Sequence, residues 1–299
     1  MTSTTLLLVY SPITVKAGND SSCEDERLVR NMEFKKYDGC GNTFAIACDK
    51  EGLNLPTLAI QVCHHKEMNT DGLIIVKQNP LEMVFYNRDG SLAPMCGNGI
   101  RCFAKYVLDE GIVATEQQRF NVATGAGLLT VEVIDLEPFL CQIVMGQPLF
   151  TPESVCLKDD GPLNRKLQIG SKIVDIYSLF MGTIHVVIFV DDAVKMIGNP
   201  LAKAICEHPL FTKKTNVNFV QVKSDSELIV RTFERGVGWT LACGTGCCAS
   251  YVIAKQFKSI KANEVTVLLE QGTLTISGTD EIYMTGPAVY HHTLKFLNV

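Results

Sequence analysis

The chain has 299 residues, of which 46% are hydrophobic and 20% charged, and its formal net charge is −5. This length accommodates two domains of ordinary size, and the composition is typical of a globular protein and excludes extended disorder. Because a protein that binds a nucleic-acid backbone needs a basic surface, the negative net charge predicts no nucleic-acid partner.

The first 31 residues differ from the rest of the sequence. An apolar run at positions 6–10 is too short to span a bilayer, and it lacks the positive leader and cleavage site of a signal peptide. We predict that residues 1–31 form a weakly ordered extension. We also expect a cytoplasmic protein that has no membrane partner.

The rest of the chain alternates short apolar runs with turn signals, and four longer stretches have a helical pattern. In chain order, the pattern predicts a helix at Leu55–Asn69, strands at Leu73–Val76 and Met83–Tyr86, a helix at Ile100–Glu110, strands at Leu128–Val133 and Val186–Val190, a helix at Pro200–Glu207, strands at Val217–Val222 and Leu228–Phe233, a helix at Cys247–Lys258, and strands at Val265–Leu269 and Leu274–Ile276. Glycine and two prolines cluster near Gly146–Thr151. This cluster predicts a boundary between a first domain over 32–147 and a second over 148–285.

Twelve cysteines are many for a chain of this kind, but no two have the Cys-x-x-Cys spacing of zinc ribbons or redox motifs. We therefore expect most of them to be small buried residues in a reducing cytosol. His64 and His65 lie beside Cys63, although an exposed helix face accounts for them better than a metal site does. The six histidines have no ligand spacing, so we predict no metal.

Two cysteines belong to an internal repeat. Residues 94–107 (PMCGNGIRCFAKYV) resemble residues 241–252 (LACGTGCCASYV), and each segment has Cys-Gly-polar-Gly followed by an apolar helical pattern. Cys96 and Cys243 are 147 positions apart (243 minus 96), about half the chain. The repeat predicts two related domains that each present the same motif.

The motif has a chemical meaning. A glycine turn that leads into a helix leaves backbone N–H groups unpaired, so residues 97–99 and 244–246 could each hold one side of a carboxylate. A cysteine just before such a terminus has its thiolate favoured, and we expect its pKa to fall towards neutrality. If Cys96 and Cys243 face opposite sides of one α-carbon, one removes the proton and the other returns it. The motif therefore predicts an amino-acid racemase or epimerase, and such a reaction would need no pyridoxal phosphate or other cofactor.

The motif is also compatible with three different roles. A single Cys-Gly-x-Gly segment can be a helix-entry turn around a buried cysteine. A cysteine hydrolase would need a histidine and a third orienting residue, and His185 could be proposed, but no hydrolase signature surrounds it. A relative that only binds a metabolite is a further alternative, and it would have no need of two matched thiols.

Five motifs in this order resemble the diaminopimelate epimerase family from Met32 to the C-terminus. They are residues 39–44 (GCGNTF), 86–91 (YNRDGS), 95–103 (MCGNGIRCF), 215–220 (TNVNFV) and 234–246 (ERGVGWTLACGTG). The resemblance implies an α+β fold of two pseudo-symmetric domains, each a mostly antiparallel sheet around a central helix. The active site would lie in the cleft between them, and a C-terminal strand within 286–299 would return to the first domain.

The resemblance also implies an activity and residue roles. The substrate would be LL- or meso-2,6-diaminopimelate, a small-molecule partner of lysine and peptidoglycan precursor biosynthesis, and a homodimer is left open. Cys96 and Cys243 match the catalytic cysteines. Positions that match substrate contacts are Asn42, Asn87, Gly97, Asn98, Asn216, Glu234, Arg235, Gly244 and Thr245. The planar Arg235 guanidinium suits the distal carboxylate, and Glu234 suits an ammonium group.

Three positions depart from the family pattern. Thr43 stands where the family usually has aspartate, Thr183 where a substrate-binding asparagine is expected, and Trp239 where glutamate is common. Thr183 and the nearby His185 are further candidates for substrate contact, since the Thr183 hydroxyl can still form a hydrogen bond. Diaminopimelate is the leading substrate, and another amino acid such as histidine is the alternative.

Overall fold

The computed structural model of the chain describes residues 32–258 and 260–295. The predicted extension at 1–31 and positions 296–299 lie outside the described residues. The described part is mostly β-structure, with eighteen strands hydrogen-bonded into one continuous sheet. Within it, no helix is both long enough and apolar enough to cross a membrane.

From residue 32 to residue 146, the first half of the described chain contains eight strands and two α-helices. They are β1 (Glu33–Gly39), β2 (Asn42–Cys48), α1 (Leu55–His64), β3 (Gly72–Gln78), β4 (Leu81–Asn87), β5 (Leu92–Ala93), α2 (Gly97–Asp109), β6 (Arg119–Thr124), β7 (Gly127–Leu136) and β8 (Phe139–Gly146). The buried run in β3 is typical of a strand that is covered on both faces. Asn54 caps α1 by accepting a hydrogen bond from the Thr57 amide, and Pro56 lies in its first turn.

The described part of the second half contains ten strands, two α-helices and one short 3-10 helix. They are β9 (Asn164–Ile169), β10 (Lys172–Phe180), β11 (Ile184–Phe189), the 3-10 helix (Val194–Met196), α3 (Leu201–Cys206), β12 (Asn216–Ser224), β13 (Glu227–Glu234), β14 (Gly238–Thr240), α4 (Gly244–Phe257), β15 (Glu264–Leu268), β16 (Thr273–Gly278), β17 (Ile282–Pro287) and β18 (Val289–Lys295).

The two halves have the same topology. In the first, β1 and β2 are antiparallel, β2 and β3 are parallel across α1, β3 and β4 are antiparallel, and β4 and β6 are parallel across α2. In the second, β10 to β13 and β15 repeat this order, with α3 and α4 as the crossover helices. The halves join through the antiparallel pair β8 and β17, and β18 pairs with β1 as β9 does with β10.

Each half wraps its sheet around one central helix. Helix α2 contacts β1 to β4 and β8, while α4 contacts β10 to β13, β16 and β17. The two helices also contact each other, and a single apolar cluster includes buried residues of both. The α+β fold with two pseudo-symmetric domains is therefore confirmed, whereas the exact boundaries at 32–147, 148–285 and 286–299 stay a prediction.

All the predicted helices and strands exist, although several ends differ. The predicted helix at Leu55–Asn69 is wrong beyond His64, because the backbone is extended at His65 and has a positive φ of 40° at Asn69. The hydrogen bond from the Thr70 amide to the Cys63 carbonyl closes this turn and leads the chain into β3. The pattern also missed the strands β1, β2, β5, β6, β8, β9, β10, β14 and β17.

Candidate active site

Cys96 and Cys243 occupy equivalent positions at the starts of the two central helices. Each is the N-cap residue, with extended backbone angles (φ −135° and ψ 120° for Cys96, φ −130° and ψ 105° for Cys243). Helical geometry begins at the next residue, which is a glycine in both cases. The free N–H groups of each helix therefore lie directly beside a thiol.

The two helix starts meet where the halves of the molecule join. A Cβ atom built on Gly97 would lie 3.5 Å from the Cα atom of Gly244, and the reverse distance is also 3.5 Å. The Asn98 side chain spans the junction, since its Nδ2 donates to the carbonyl oxygen of Ala242 at 3.1 Å. Residues that are far apart in sequence are thus held together at the two repeated motifs.

Cys96 is half-buried and receives hydrogen bonds from its own helix. Its Sγ atom accepts from the Gly99 amide at 3.4 Å, and the Asn98 amide also acts on it. Burial nevertheless raises the pKa of the Cys96 thiol to about 11, with a smaller upward contribution from Glu234, while the backbone donors and Arg101 oppose it. The expectation that the helix terminus brings this pKa towards neutrality is wrong, because desolvation outweighs the helix donors.

Cys243 is more deeply placed, with 6% of its surface exposed. Its Sγ atom lies 3.6 Å from the Thr245 hydroxyl oxygen, and its thiol also donates to the Glu234 carboxylate. Burial and the Glu234 charge hold the pKa of Cys243 well above its ordinary value, against the hydrogen bond from Thr245. Here too the expected fall in pKa is wrong, and Glu234 favours the protonated thiol.

His185 is buried and neutral beside the second motif. Burial lowers the pKa of His185 to about 3. Its Nδ1 accepts from Nδ2 of Asn218 at 3.1 Å, and the Asn218 amide is oriented by Thr232, which donates to Oδ1. The proton of the ring is therefore on Nε2, which donates to the Thr245 hydroxyl at 3.0 Å. Thr245 is left to donate its own proton to the Cys243 sulfur.

Asn42 lies at the first motif. Its Oδ1 accepts from Nδ2 of Asn98 at 2.7 Å, and its Nδ2 is 3.4 Å from the Asp71 carboxylate. The same carboxylate accepts from the Thr43 amide at 2.8 Å. Sequence reasoning did not identify Asp71, which lies just before β3 outside the five family motifs, so no signal marked it.

Asn216, Arg235 and Thr183 form a second group near α4. The buried Asn216 lies opposite His185 in the parallel pair of β11 and β12, and its Oδ1 accepts from the Arg235 amide at 2.9 Å. The exposed Arg235 guanidinium donates to the Thr183 hydroxyl at 2.9 Å. The threonine that departs from the family pattern therefore orients the arginine predicted to bind the distal carboxylate.

Two other predicted positions have local partners. Asn87 donates through Nδ2 to the Ser91 hydroxyl at 2.9 Å at the end of β4. Glu234 accepts from the Thr240 hydroxyl at 2.9 Å, in addition to the Cys243 thiol. Trp239 packs on Phe219 with ring centroids 5.8 Å apart, so this departure from the family pattern places an indole in the apolar cluster of the second half.

Within the described residues, the remaining cysteines and histidines form no metal-binding group. Cys102, Cys247 and Cys248 are fully buried, as predicted for core residues. His64 bonds to the Ile60 carbonyl within its own helix. In residues 32–258 and 260–295, no group of three or more His, Cys, Asp or Glu side chains could hold a metal ion.

Known proteins resemble this chain along most of its sequence. The family described as "Diaminopimelate epimerase" matches residues 34–151 and 177–291. The diaminopimelate epimerase of Halothermothrix orenii is 38% identical over 281 residues, which covers 89% of this chain and 98% of that protein. The enzyme of the same name from Desulforapulum autotrophicum is 37% identical over 279 residues, which covers 88% of this chain and 98% of that protein.

Solved structures share the fold at low sequence identity. A phenazine biosynthesis protein of the PhzF family from Bacillus anthracis has a TM-score of 0.66 and 14% identity, covering 88% of this chain and 98% of that one. A hydroxyproline epimerase from Agrobacterium vitis has a TM-score of 0.63 and 11% identity, and the match covers 89% of this chain and 92% of that one. The match along the sequence and the paired cysteine motifs lead to one conclusion: the chain belongs to the diaminopimelate epimerase family.

Proposed function

We propose that this protein is an isomerase that interconverts LL- and meso-2,6-diaminopimelate by inverting one α-carbon. The observation that carries the proposal is the pair of cysteines, Cys96 and Cys243, each capping a helix whose first residue nearly touches the other helix. Relatives that are 36–38% identical over most of the chain bear the name of this activity, which favours diaminopimelate over histidine as the substrate.

The proposed reaction uses the two thiols as a base and an acid. One cysteine, as thiolate, removes the α-proton, and the other, as thiol, delivers a proton to the opposite face of the carbon. The reverse reaction exchanges the two roles. The backbone N–H groups at Gly97, Asn98, Gly244 and Thr245 would point towards the α-carboxylate and stabilise the negative charge that develops as the proton leaves.

The other predicted residues would recognise the rest of the substrate. Arg235, oriented by Thr183 and the Asn216 side chain, is suited to the distal carboxylate. Glu234 would meet an ammonium group, and that cation would also offset the carboxylate charge that now disfavours a thiolate at Cys243. Asn42 and Asn87 are assigned as further contacts, and His185 acts on Cys243 through Thr245.

The test is turnover of LL-diaminopimelate in deuterium oxide. We expect deuterium at the α-carbon of the meso product, and no detectable turnover by Cys96→Ala or Cys243→Ala. Cys141→Ala is the matched control, because Cys141 is a fully buried cysteine of β8 outside the site. Epimerisation at the wild-type rate by either active-site variant would refute the proposal.

The substrate is tested by running L-histidine beside LL-diaminopimelate and following the loss of optical rotation. We expect inversion of diaminopimelate alone. Inversion of histidine at a comparable rate would replace diaminopimelate in the proposal while leaving the two-thiol reaction in place.

Three further parts of the proposal rest on the sequence. A cytoplasmic location suits a chain with twelve cysteines, since the eleven in the described part are all free. We expect the reaction to need no cofactor, because both proton transfers are assigned to side chains of the protein. The partner is the small substrate, and sedimentation of the purified protein would decide between a monomer and a homodimer.

A further inference from the structure

Arg101 is a fully buried cation that makes no ion pair with a carboxylate in the described part of the chain. Its guanidinium donates to neutral acceptors: the carbonyl oxygens of Pro287 and Gly97, each at 3.0 Å, the Asn98 side-chain oxygen at 3.0 Å, and the sulfur atoms of Cys40 at 3.5 Å and Met284 at 3.8 Å. Arginine stays charged in proteins, and an unpaired buried charge is costly. An anion that forms nearby would therefore be stabilised.

The contacts of Arg101 connect it to the Cys96 thiol. The Gly97 carbonyl that accepts from Arg101 belongs to the same peptide group as the Asn98 N–H, which acts on the Cys96 sulfur. A cation bonded to the oxygen of a peptide polarises its N–H and strengthens the bond that this N–H donates. Arg101 also accounts for the orientation of the Asn98 amide, because its Oδ1 accepts from Arg101 while its Nδ2 donates to Asn42 and Ala242.

The repeat shows that this cation is present at one motif only. Arg101 is the fifth residue after Cys96, and the fifth residue after Cys243 is Cys248, a buried neutral thiol. The carboxylate of Glu234 instead interacts directly with Cys243. The Glu234 charge thus acts on both thiols, but only Cys96 also has a buried cation behind it.

We propose that Arg101 is a positioning residue that makes Cys96, rather than Cys243, the thiol that ionises first in the free enzyme. It acts through the Gly97–Asn98 peptide and through its charge, and it holds the Asn98 side chain across the junction of the halves. This inference rests on the proposed epimerisation. It assigns Cys96 as the base and Cys243 as the acid of the resting enzyme.

The charged groups that face Cys96 act in both directions on its ionisation. From its own helix, Arg101 favours the thiolate, and from β13 Glu234 opposes it. Cys102, Cys141, Cys247 and Cys248 also lie near Arg101, but burial raises the pKa of all four, so they remain neutral thiols at neutral pH. Asp38 acts on Cys40 and Cys102 and is hydrogen-bonded to the Gly41 amide.

The experiment measures the ionisation of each thiol without using turnover. The purified, reduced protein is alkylated with iodoacetamide over a range of pH, and the rate at each cysteine is read by peptide mass spectrometry. Because only the thiolate reacts, the pH dependence of each rate gives the pKa of that cysteine independently of its accessibility. We expect Cys96 to have the lower pKa of the pair, by enough to give about tenfold more thiolate at a given pH.

Variants at Arg101 test its part in this difference. Arg101→Met is expected to lower the thiolate fraction of Cys96 about tenfold at a fixed pH, and Arg101→Lys, which keeps the charge, should restore most of it. Arg231→Met is the matched control, because Arg231 is a mostly buried arginine that bonds to the carbonyls of Val230 and Leu268 instead. It should leave the Cys96 profile unchanged.

The outcomes are distinct. Alkylation of Cys243 at a lower pH than Cys96 in the wild-type protein would overturn the assignment, and this result needs no variant to fold. An unchanged Cys96 profile in a folded Arg101→Met protein would overturn the role of Arg101. If the protein failed to epimerise diaminopimelate at all, the alkylation profiles would still decide the ionisation order, so the two failures are separable.

Discussion

Gly97 and Gly244 face each other so closely that a Cβ atom on either would lie 3.5 Å from the Cα atom of the other. Any larger side chain at these positions would enter the space where the two helix N-termini converge. At 3.5 Å such a Cβ atom would make an ordinary van der Waals contact with the opposite glycine. The space around each of these glycines nevertheless differs from one position to the next.

Gly246→Ala should destabilise the protein more than Gly97→Ala does. A Cβ on Gly246 would overlap Oδ1 of Asn218 and lie 3.1 Å from the Thr232 hydroxyl, both members of the buried network around His185. We expect a loss of about 1–3 kcal/mol in the free energy of unfolding. A Cβ atom on Gly97 would have its nearest heavy atoms at 3.5, 3.6 and 3.9 Å. Alanine at this position should therefore change the free energy of unfolding by less than about 1 kcal/mol. Urea denaturation of both variants checks the order.

Thr245→Val should lower kcat by about tenfold, because it removes the hydroxyl that links His185 to the Cys243 sulfur and leaves the His185 N–H unpaired. Since the hydrogen bond from Thr245 lowers the pKa of Cys243, the variant should also shift the alkylation of Cys243 to higher pH. Thr245→Ser keeps the hydroxyl and should retain most of the activity. Equal kcat values for valine and serine variants would contradict the proposed hydrogen-bond chain.

Thr183→Val should raise KM for diaminopimelate by about threefold to tenfold while changing kcat less. The substitution removes the hydroxyl that accepts from Arg235 at 2.9 Å, so the guanidinium keeps its charge and its bond to the Lys213 carbonyl at 3.1 Å but is held less firmly. Thr183→Ser serves as the control for side-chain volume. Steady-state kinetics would refute the role of Thr183 if KM stayed the same and only kcat fell.

The protein should lose stability as the pH rises above about 9, near the ordinary pKa of a thiol. Burial raises the pKa of Cys141 and Cys248 to about 12, so the unfolded chain ionises these thiols before the folded one does. The stabilisation is complete below the unfolded pKa and is lost as the pH rises towards the folded pKa. The midpoint of urea unfolding, measured under reducing conditions, should therefore fall steadily as the pH rises from about 9 towards 12.

Cys141→Ala provides the check on this linkage. Removing one such thiol should make the decline shallower by up to about 1.4 kcal/mol per pH unit between the two pKa values. The baseline stability of the variant will be lower, since a buried side chain has been truncated, but the slope is the quantity compared. An unchanged slope would mean that ionisation of Cys141 does not limit stability at alkaline pH.

The sequence by itself determined the helices of the described part, some of its strands and the reacting pair. An apolar run identified the buried strand β3, and helical patterns identified the four α-helices of the described part, because these patterns follow from local backbone geometry. The repeat singled out Cys96 and Cys243 from twelve cysteines, and the glycines after them predicted helix starts. Short or irregular strands such as β5 and β14 were missed, since two or three residues are too few to form a pattern.

Only the tertiary structure decided the hydrogen bonds and the electrostatics of the site. The bonds from Asn98 to Ala242 and from Asn218 through His185 to Thr245 join segments far apart in sequence, so no local pattern contains them. The same holds for Arg101, which lies within a family motif although its burial without a carboxylate partner depends on strands from both halves. Helix termini alone predicted acidic thiols. Desolvation reversed that prediction, because the pKa of Cys96 and Cys243 depends on everything that the fold packs around them.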